Sequence, residues 1–322
     1  MRHHTLPFSV ILEACLPTEL QGPATKISRI AAGLSGAGVY RVEASEVTYA
    51  LKISDESELA EHWRGKLRIQ CLAADAGLAP RVVHVDESRR SVLSAFVTDT
   101  SFPAHFSDPR TRDSALVKLG TFIRRLHQLP IPADAPTRDA RTFLADIATG
   151  LETDFNVPPF VLSAMQWALT HEPPPSDQPD VLSHNDVNPS NLVYDGKDLL
   201  LLDWDTAGRN DPYHDLATIA VFLRMDADTC CRLIAIHDAQ PVSHLSPRFL
   251  YVRRLVATLI GGIFMRLARE SGHGGAGSSE TLESSRSLGD CYQAMREGTL
   301  NLATSDGQFA FGMALVKESL EF

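Results

Sequence analysis

The chain has 322 residues, of which 44% are hydrophobic, and carries 30 basic and 40 acidic side chains for a formal net charge of −10. That length can bury a core in each of two compact units, and the ordinary apolar share excludes a disordered chain. The acidic balance argues against nucleic acid as a partner, since a phosphate backbone is held by clustered Lys and Arg; a small cationic substrate is easier to accommodate.

In chain order, Met1-Arg2-His3-His4 leads into a proline-interrupted segment with no small-residue cleavage site, so no secretory leader is expected. Residues 26–32, 38–43 and 47–53 have strand composition. Between the first two, Gly33, Ser35 and Gly36 belong to a small-residue loop whose backbone can approach phosphates closely, or that simply turns a hairpin. In the third strand, period-two alternation puts Val47, Tyr49, Leu51 and Ile53 on one face and Thr48, Ala50 and Lys52 on the other. Lys52 is thus the one charge on the opposite face. A helix is expected over 56–76, stopped by Gly77 with Pro80 beyond, with Leu59, Trp63, Leu67 and Ala74 as its apolar stripe. Gln70 is the polar residue on that inward face, whereas Glu58 and Glu61 sit near the helix start, where the dipole favours acids. Residues 82–86 and 91–97 read as two more strands, 98–101 as a hinge, and 116–129 as a long helix with His127 in a structural position at its C-terminal end.

The most informative stretch is His184-Asn185-Asp186-Val187-Asn188-Pro189-Ser190-Asn191, followed by two short apolar strands, 192–194 and 199–202, around the turn Asp195-Gly196, and then by Asp203-Trp204-Asp205. It has the elements of a kinase-type loop: Asp186 to orient and deprotonate a hydroxyl, Asn191 able to reach a magnesium ion, and Asp203 for the same metal. Because a hairpin returns the chain to its starting point, Asn191 and Asp203 are expected side by side at its open end. Farther on, 255–265 reads as a buried helix, too short at 11 residues to span a bilayer, which needs about 20. Its Gly261-Gly262 pair points to close helix packing or a local kink. The glycine-rich stretch 271–279 reads as a loop between helices. The five cysteines (Cys15, Cys71, Cys230, Cys231 and Cys291) are odd in number and lack metal-ligand spacing, which suits reduced thiols of a cytoplasmic protein, with Cys230 and Cys231 in a helix core.

These motifs resemble those of the aminoglycoside phosphotransferase and choline kinase group. His184, Asp186 and Asn191 match its His-x-Asp-x-x-x-x-Asn loop, Asp203-Trp204-Asp205 its strand-borne acids, and Asp211-Pro212-Tyr213-His214-Asp215-Leu216-Ala217 its Asp-Pro-x-x-Asp-Leu-Ala block. The resemblance implies an α+β, protein-kinase-like, two-lobed fold. Residues 1–98 would form a small nucleotide-binding lobe of antiparallel sheet plus one helix, and 99–322 a mainly helical lobe with the catalytic loop, metal site and acceptor helices. It implies ATP and Mg2+ as cofactors, Lys52 on the α and β phosphates, the glycine loop above them, His184 supporting the loop, and Asp215 bracing it from below, or capping its own helix. Two roles stay open for Asp205: facing the substrate or holding backbone amides. Kinases hold their lysine with a glutamate from the first helix; this chain departs from that pattern, and Gln70 is expected in its place. The activity implied is phosphoryl transfer to a hydroxyl of a small, cationic metabolite resembling choline, ethanolamine or thiamine. Alternatives are an antibiotic phosphotransferase and a catalytically silent nucleotide-binding module. Asn185 favours the metabolite kinases, antibiotic enzymes more often carrying Gly there, and Trp204, Tyr251, Phe264 and Tyr292 are the scattered aromatic candidates for a choline cage.

Overall fold

A computed structural model describes residues 12–30, 38–151, 155–176, 178–277 and 280–321. The chain divides into two compact units, one running to Pro136 and adding Pro189–Gly208, the other comprising Thr137–Asn188 and the chain from Arg209 onward. Contacts therefore group residues 99–136 and the hairpin with the sheet, a different partition from the lobes 1–98 and 99–322 that the resemblance implies.

The first unit is built on strands β1 (Lys26–Arg29), β2 (Gly38–Ala44), β3 (Val47–Ile53), β4 (Val82–Asp86) and β5 (Ser91–Ala95), in the order β1-β2-β3-β5-β4 with every neighbour antiparallel. Alternation works as expected on β3: Leu51 is fully buried and packs with Tyr40, Val42 and Leu93 against Leu12, Cys15 and Leu16, with Tyr49 and Ile53 at the margin. Val47, at the strand's start, is 48% exposed because the sheet ends there in the Ser45-Glu46 turn. Lys52 faces the other way, opposite Val39 on β2 and Val92 on β5.

Helix α1 (Ala60–Asp75) begins later than composition suggested. Its buried residues are Trp63, Ile69 and Ala73, while Leu59, placed by periodicity on the inward stripe, is the extended N-cap residue and 64% exposed. Helices α2 (Phe102–Ser107) and α3 (Arg112–His127) follow; α3 buries Leu116, Leu119, Phe122, Ile123 and Leu126 at the three-to-four spacing of an amphipathic helix.

In the second unit, α4 (Ala140–Leu151), α5 (Pro159–Thr170) and the short strand β6 (Val181–Ser183) lead into the 184–191 segment. The chain then returns to the first unit for the hairpin of β7 (Leu192–Tyr194) and β8 (Leu199–Leu201), followed by a single 3-10 turn at Trp204–Thr206. Strand β9 (Gly208–Asn210) pairs with β6, and helices α6 (Tyr213–Phe222), α7 (Ala227–Asp238), α8 (Pro247–Glu270), α9 (Leu288–Arg296) and α10 (Ser305–Ser319) complete the unit.

Helix α8 is the axis of this unit, packed by α4, α5, α6 and α10. Of the two readings of Gly261-Gly262, the structure selects close packing: α8 runs unbroken, and a Cβ on Gly261 would lie 2.6 Å from Val316 Cγ2 and 2.8 Å from the Gly312 carbonyl oxygen. Cys230 is buried on α7 and Cys231 half-buried, and no cysteine is in a disulfide. Among the described residues no helix is long and apolar enough to cross a membrane.

Candidate active site

In the first unit the hairpin register pairs Leu192 with Leu201, and the Leu202 amide donates to the Asn191 carbonyl at 2.8 Å. Asn191 and Asp203 therefore sit at the open end, as hairpin geometry required. The backbone of Asp203 is left-handed (φ 58°), a conformation that aspartate tolerates better than most residues. This sharp bend directs the chain from β8 into the 3-10 turn, and Trp204 becomes a buried anchor whose indole N–H donates to the Leu201 carbonyl at 3.0 Å. The other end of the hairpin is held by residues 98–101. Asp99 accepts from the Tyr194 amide at 3.0 Å, and the Thr100 amide and hydroxyl donate to the Tyr194 carbonyl at 2.7 and 2.8 Å.

Lys52 reaches this same turn. Its ammonium donates to Asp203 Oδ1 at 2.7 Å and lies 2.8 Å from Asp205 Oδ2. Burial works to lower the lysine pKa, but the Asp203 and Asp205 charges, with their hydrogen bonds, outweigh it and raise the value above 10.5. The expectation for Gln70 is corrected here: among the described residues the Lys52 ammonium is held by Asp203 and Asp205, and Gln70 makes no hydrogen bond to it. Two carboxylates hold the ammonium instead, and a carboxylate is a stronger acceptor for it than an amide oxygen. Glu58 is bound to Lys66 at 2.6 Å and Glu61 is exposed, so neither takes the lysine. Asp205, with two roles left open by sequence, takes a third as a lysine partner. Gly33, Ser35 and Gly36 lie outside the described residues.

In the second unit the 184–188 segment is organised around Asp215. Its carboxylate, with no exposed surface, accepts from the His184 amide at 2.9 Å and the Asn185 amide at 2.8 Å. Asp215 lies inside the first turn of α6, whose N-cap is Pro212, so of its two expected roles it braces the loop and does not cap the helix. Asn185 is also left-handed (φ 65°). Its side chain donates to the Ser183 carbonyl at 3.1 Å and accepts from the Asn210 side-chain amide at 2.6 Å. Its identity is thus accounted for by backbone conformation and loop bracing, which removes its weight as a marker of substrate. Asp186 accepts from the Asn188 side chain at 2.7 Å, and His184 is fully buried beneath the loop.

Asn210, Asn188 and Arg248 escaped the sequence reading. Asn210 and Asn188 adjoin recognised motifs and could have been suspected from position. Arg248 carried no signal: its guanidinium binds Asp211 at 2.7 Å and the Pro174 carbonyl at 2.7 Å, fastening α8 to the start of α6. Each of the four candidate cage aromatics is taken up by packing within its own unit. Trp204, Tyr251 and Phe264 are buried in cores, and Tyr292 packs against the Phe311 cluster with its hydroxyl on the Phe222 carbonyl.

A five-stranded antiparallel sheet carrying a half-buried lysine, followed by a two-stranded hairpin and a mainly helical region, defines a protein-kinase-like fold. The model of the phosphotransferase enzyme family matches residues 26–249, and the chain belongs to that family of ATP-dependent small-molecule kinases. A choline/ethanolamine kinase family protein from Mesorhizobium loti is 18% identical, with a TM-score of 0.60 over 96% of this chain and 99% of its own. A macrolide 2′-phosphotransferase of type I is also 18% identical, with a TM-score of 0.60 over 79% of this chain and 88% of its own. The structure of LicA in complex with AMP is 12% identical, with a TM-score of 0.59 over 93% and 95%. No curated protein matches the chain.

Proposed function

We propose that the protein transfers the γ-phosphoryl group of ATP to a hydroxyl of a small, cationic metabolite. The observation that carries the reading is the bracing of the Asp186 loop by a fully buried Asp215, which fixes a short polar segment whose backbone would otherwise be free. Lys52 binds the α and β phosphates. Asn191 and Asp203 offer the hard oxygen donors that magnesium takes, and Asp203 already binds a cation, the Lys52 ammonium. These two residues would hold the ion, which when bound offsets the charge of the phosphoryl oxygens. Asp186 orients the acceptor hydroxyl: its oxygen forms a bond to the γ-phosphorus, the bond to ADP breaks, and the proton passes to the Asp186 carboxylate late in the transfer.

With three of the aromatic cage candidates buried and Tyr292 half-buried against the Phe311 cluster, the acceptor's positive charge is better met by carboxylates and carbonyls than by ring faces. Among the cationic metabolites this favours a primary ammonium such as that of ethanolamine over quaternary choline. The equal TM-score of the macrolide 2′-phosphotransferase supports an antibiotic acceptor as the second reading. A coupled ADP-release screen over ethanolamine, choline, thiamine, amino sugars, aminoglycosides and macrolides decides between them. Turnover confined to amino alcohols is expected; turnover confined to antibiotics replaces the metabolic reading. With whichever acceptor is found, Asp186→Ala is expected to lose turnover while retaining ATP binding, and turnover comparable with wild type removes Asp186 from its role.

A further inference from the structure

The lysine of β3 takes no partner from the helix that follows it. Helix α1 carries Glu61 and Asp75, both exposed, and Glu58 just ahead of it is held by Lys66. The helix packs instead against the 3-10 turn Trp204–Thr206, and Asp205 of that turn is one of the two carboxylates on the Lys52 ammonium. The other, Asp203, has a second demand on it: in the kinase reading above, on which this inference rests, it is the acid that binds magnesium. Once Asp203 turns to the metal, Lys52 keeps a single carboxylate. An ammonium has three N–H donors, so one held by Asp205 leaves two for phosphate oxygens.

We propose that Asp205 is the positioning residue of Lys52, supplying from the turn after β8 the carboxylate that protein kinases place on the first helix. Asp203 and Asp205 then divide the work: the first serves the metal, the second the lysine. This division makes Gln70 dispensable and accounts for a first helix with no acid directed at Lys52.

The test is a mutant cycle read by calorimetric binding of MgADP at saturating magnesium, which needs no acceptor, together with a magnesium titration at fixed ADP. Asp205→Asn is expected to weaken MgADP about tenfold, the order set by one charged hydrogen bond, and to leave the magnesium midpoint where it is. Asp203→Asn is expected to shift that midpoint. In a Lys52→Met background Asp205→Asn is expected to cost nothing or to tighten binding slightly, since what remains is relief of repulsion between Asp205 and the phosphates. Asp205→Glu, which restores the charge, is expected to recover part of the affinity. The Asp205 side chain is 38% exposed, so the isosteric amide is well tolerated by the fold, and a thermal melt verifies it. An equal loss in both backgrounds, a shifted magnesium midpoint for Asp205→Asn, or no loss at all overturns the proposal. A wild-type protein that binds no MgADP overturns the kinase reading along with it, which separates the two failures.

Discussion

At the scale of single residues, the site depends on polar groups whose alternatives are expensive. Asp215 has no exposed surface and serves two backbone amides, so Asp215→Asn places an amide NH2 where one of those N–H groups needs an acceptor. A charged hydrogen bond is worth about 1.5–3 kcal/mol. The variant is expected to lose about that much stability in urea unfolding and to lower kcat, with MgATP affinity retained because Lys52 and Asp203 lie elsewhere in the chain. Next to it, His214 is buried, and burial lowers its pKa below 6.5 against the opposing pull of Asp215 and Asp211. Above 6.5 the ring is neutral in both folded and unfolded chains and contributes no pH dependence. As pH falls below 6.5 the unfolded chain takes up the proton first, so stability declines towards the lower folded value. Unfolding free energies measured between about pH 7.5 and 5.5 should show this decline, and His214→Gln should flatten it; an identical slope in both proteins removes His214 as its source.

At the scale of elements, the contact between α8 and α10 is set by glycines whose missing side chains admit the opposing backbone. A Cβ on Gly261 would meet Val316 Cγ2 at 2.6 Å and the Gly312 carbonyl at 2.8 Å, and one on Gly312 would meet the Gly261 carbonyl at 2.8 Å. Gly261→Ala is therefore expected to cost about 1–3 kcal/mol through overpacking. Gly65 supplies the contrast. It lies inside α1 with nothing within 4 Å of the Cβ position, so Gly65→Ala should stabilise the protein by about 0.5–1 kcal/mol from helix propensity alone. Urea unfolding of the two variants reads opposite signs; the same sign for both would mean that packing at Gly261 is not what the geometry says. Both glycines are plain in the sequence, yet only the partner helix separates them, because residues 261 and 312 are neighbours in space and not in the chain.

At the scale of the whole molecule, membership of an ATP-dependent kinase family makes nucleotide a stabilising ligand. A ligand at 100 times its Kd adds about 2.7 kcal/mol to the folded state. MgATP is expected to raise the melting temperature, and ATP with a chelator to raise it less, since Asp203 and Asn191 are proposed to hold the ion against the phosphates. Equal shifts with and without magnesium would separate the metal from nucleotide binding.

The fold class was legible through the resemblance that the motif blocks carry, and the strands and hairpin that hold those motifs were legible because they rest on local rules. Alternation located β3 and turned Lys52 away from the packed face, the Asp195-Gly196 turn closed the β7–β8 hairpin, and that closure brought Asn191 and Asp203 together. What holds Lys52 was not legible. It is settled by a carboxylate more than 150 residues away, delivered by the left-handed bend at Asp203, and no periodicity of α1 records it. The same holds for Asn185, whose side chain answers to Asn210, and for Arg248, which fastens α8 to Asp211. The burial of Trp204, Tyr251 and Phe264 and the half-burial of Tyr292 followed from tertiary packing and not from their spacing. Local backbone and pattern rules act within a few residues, so the sequence specifies them directly; partners of charged and buried polar groups are chosen by desolvation and distance, which exist only once the chain has folded.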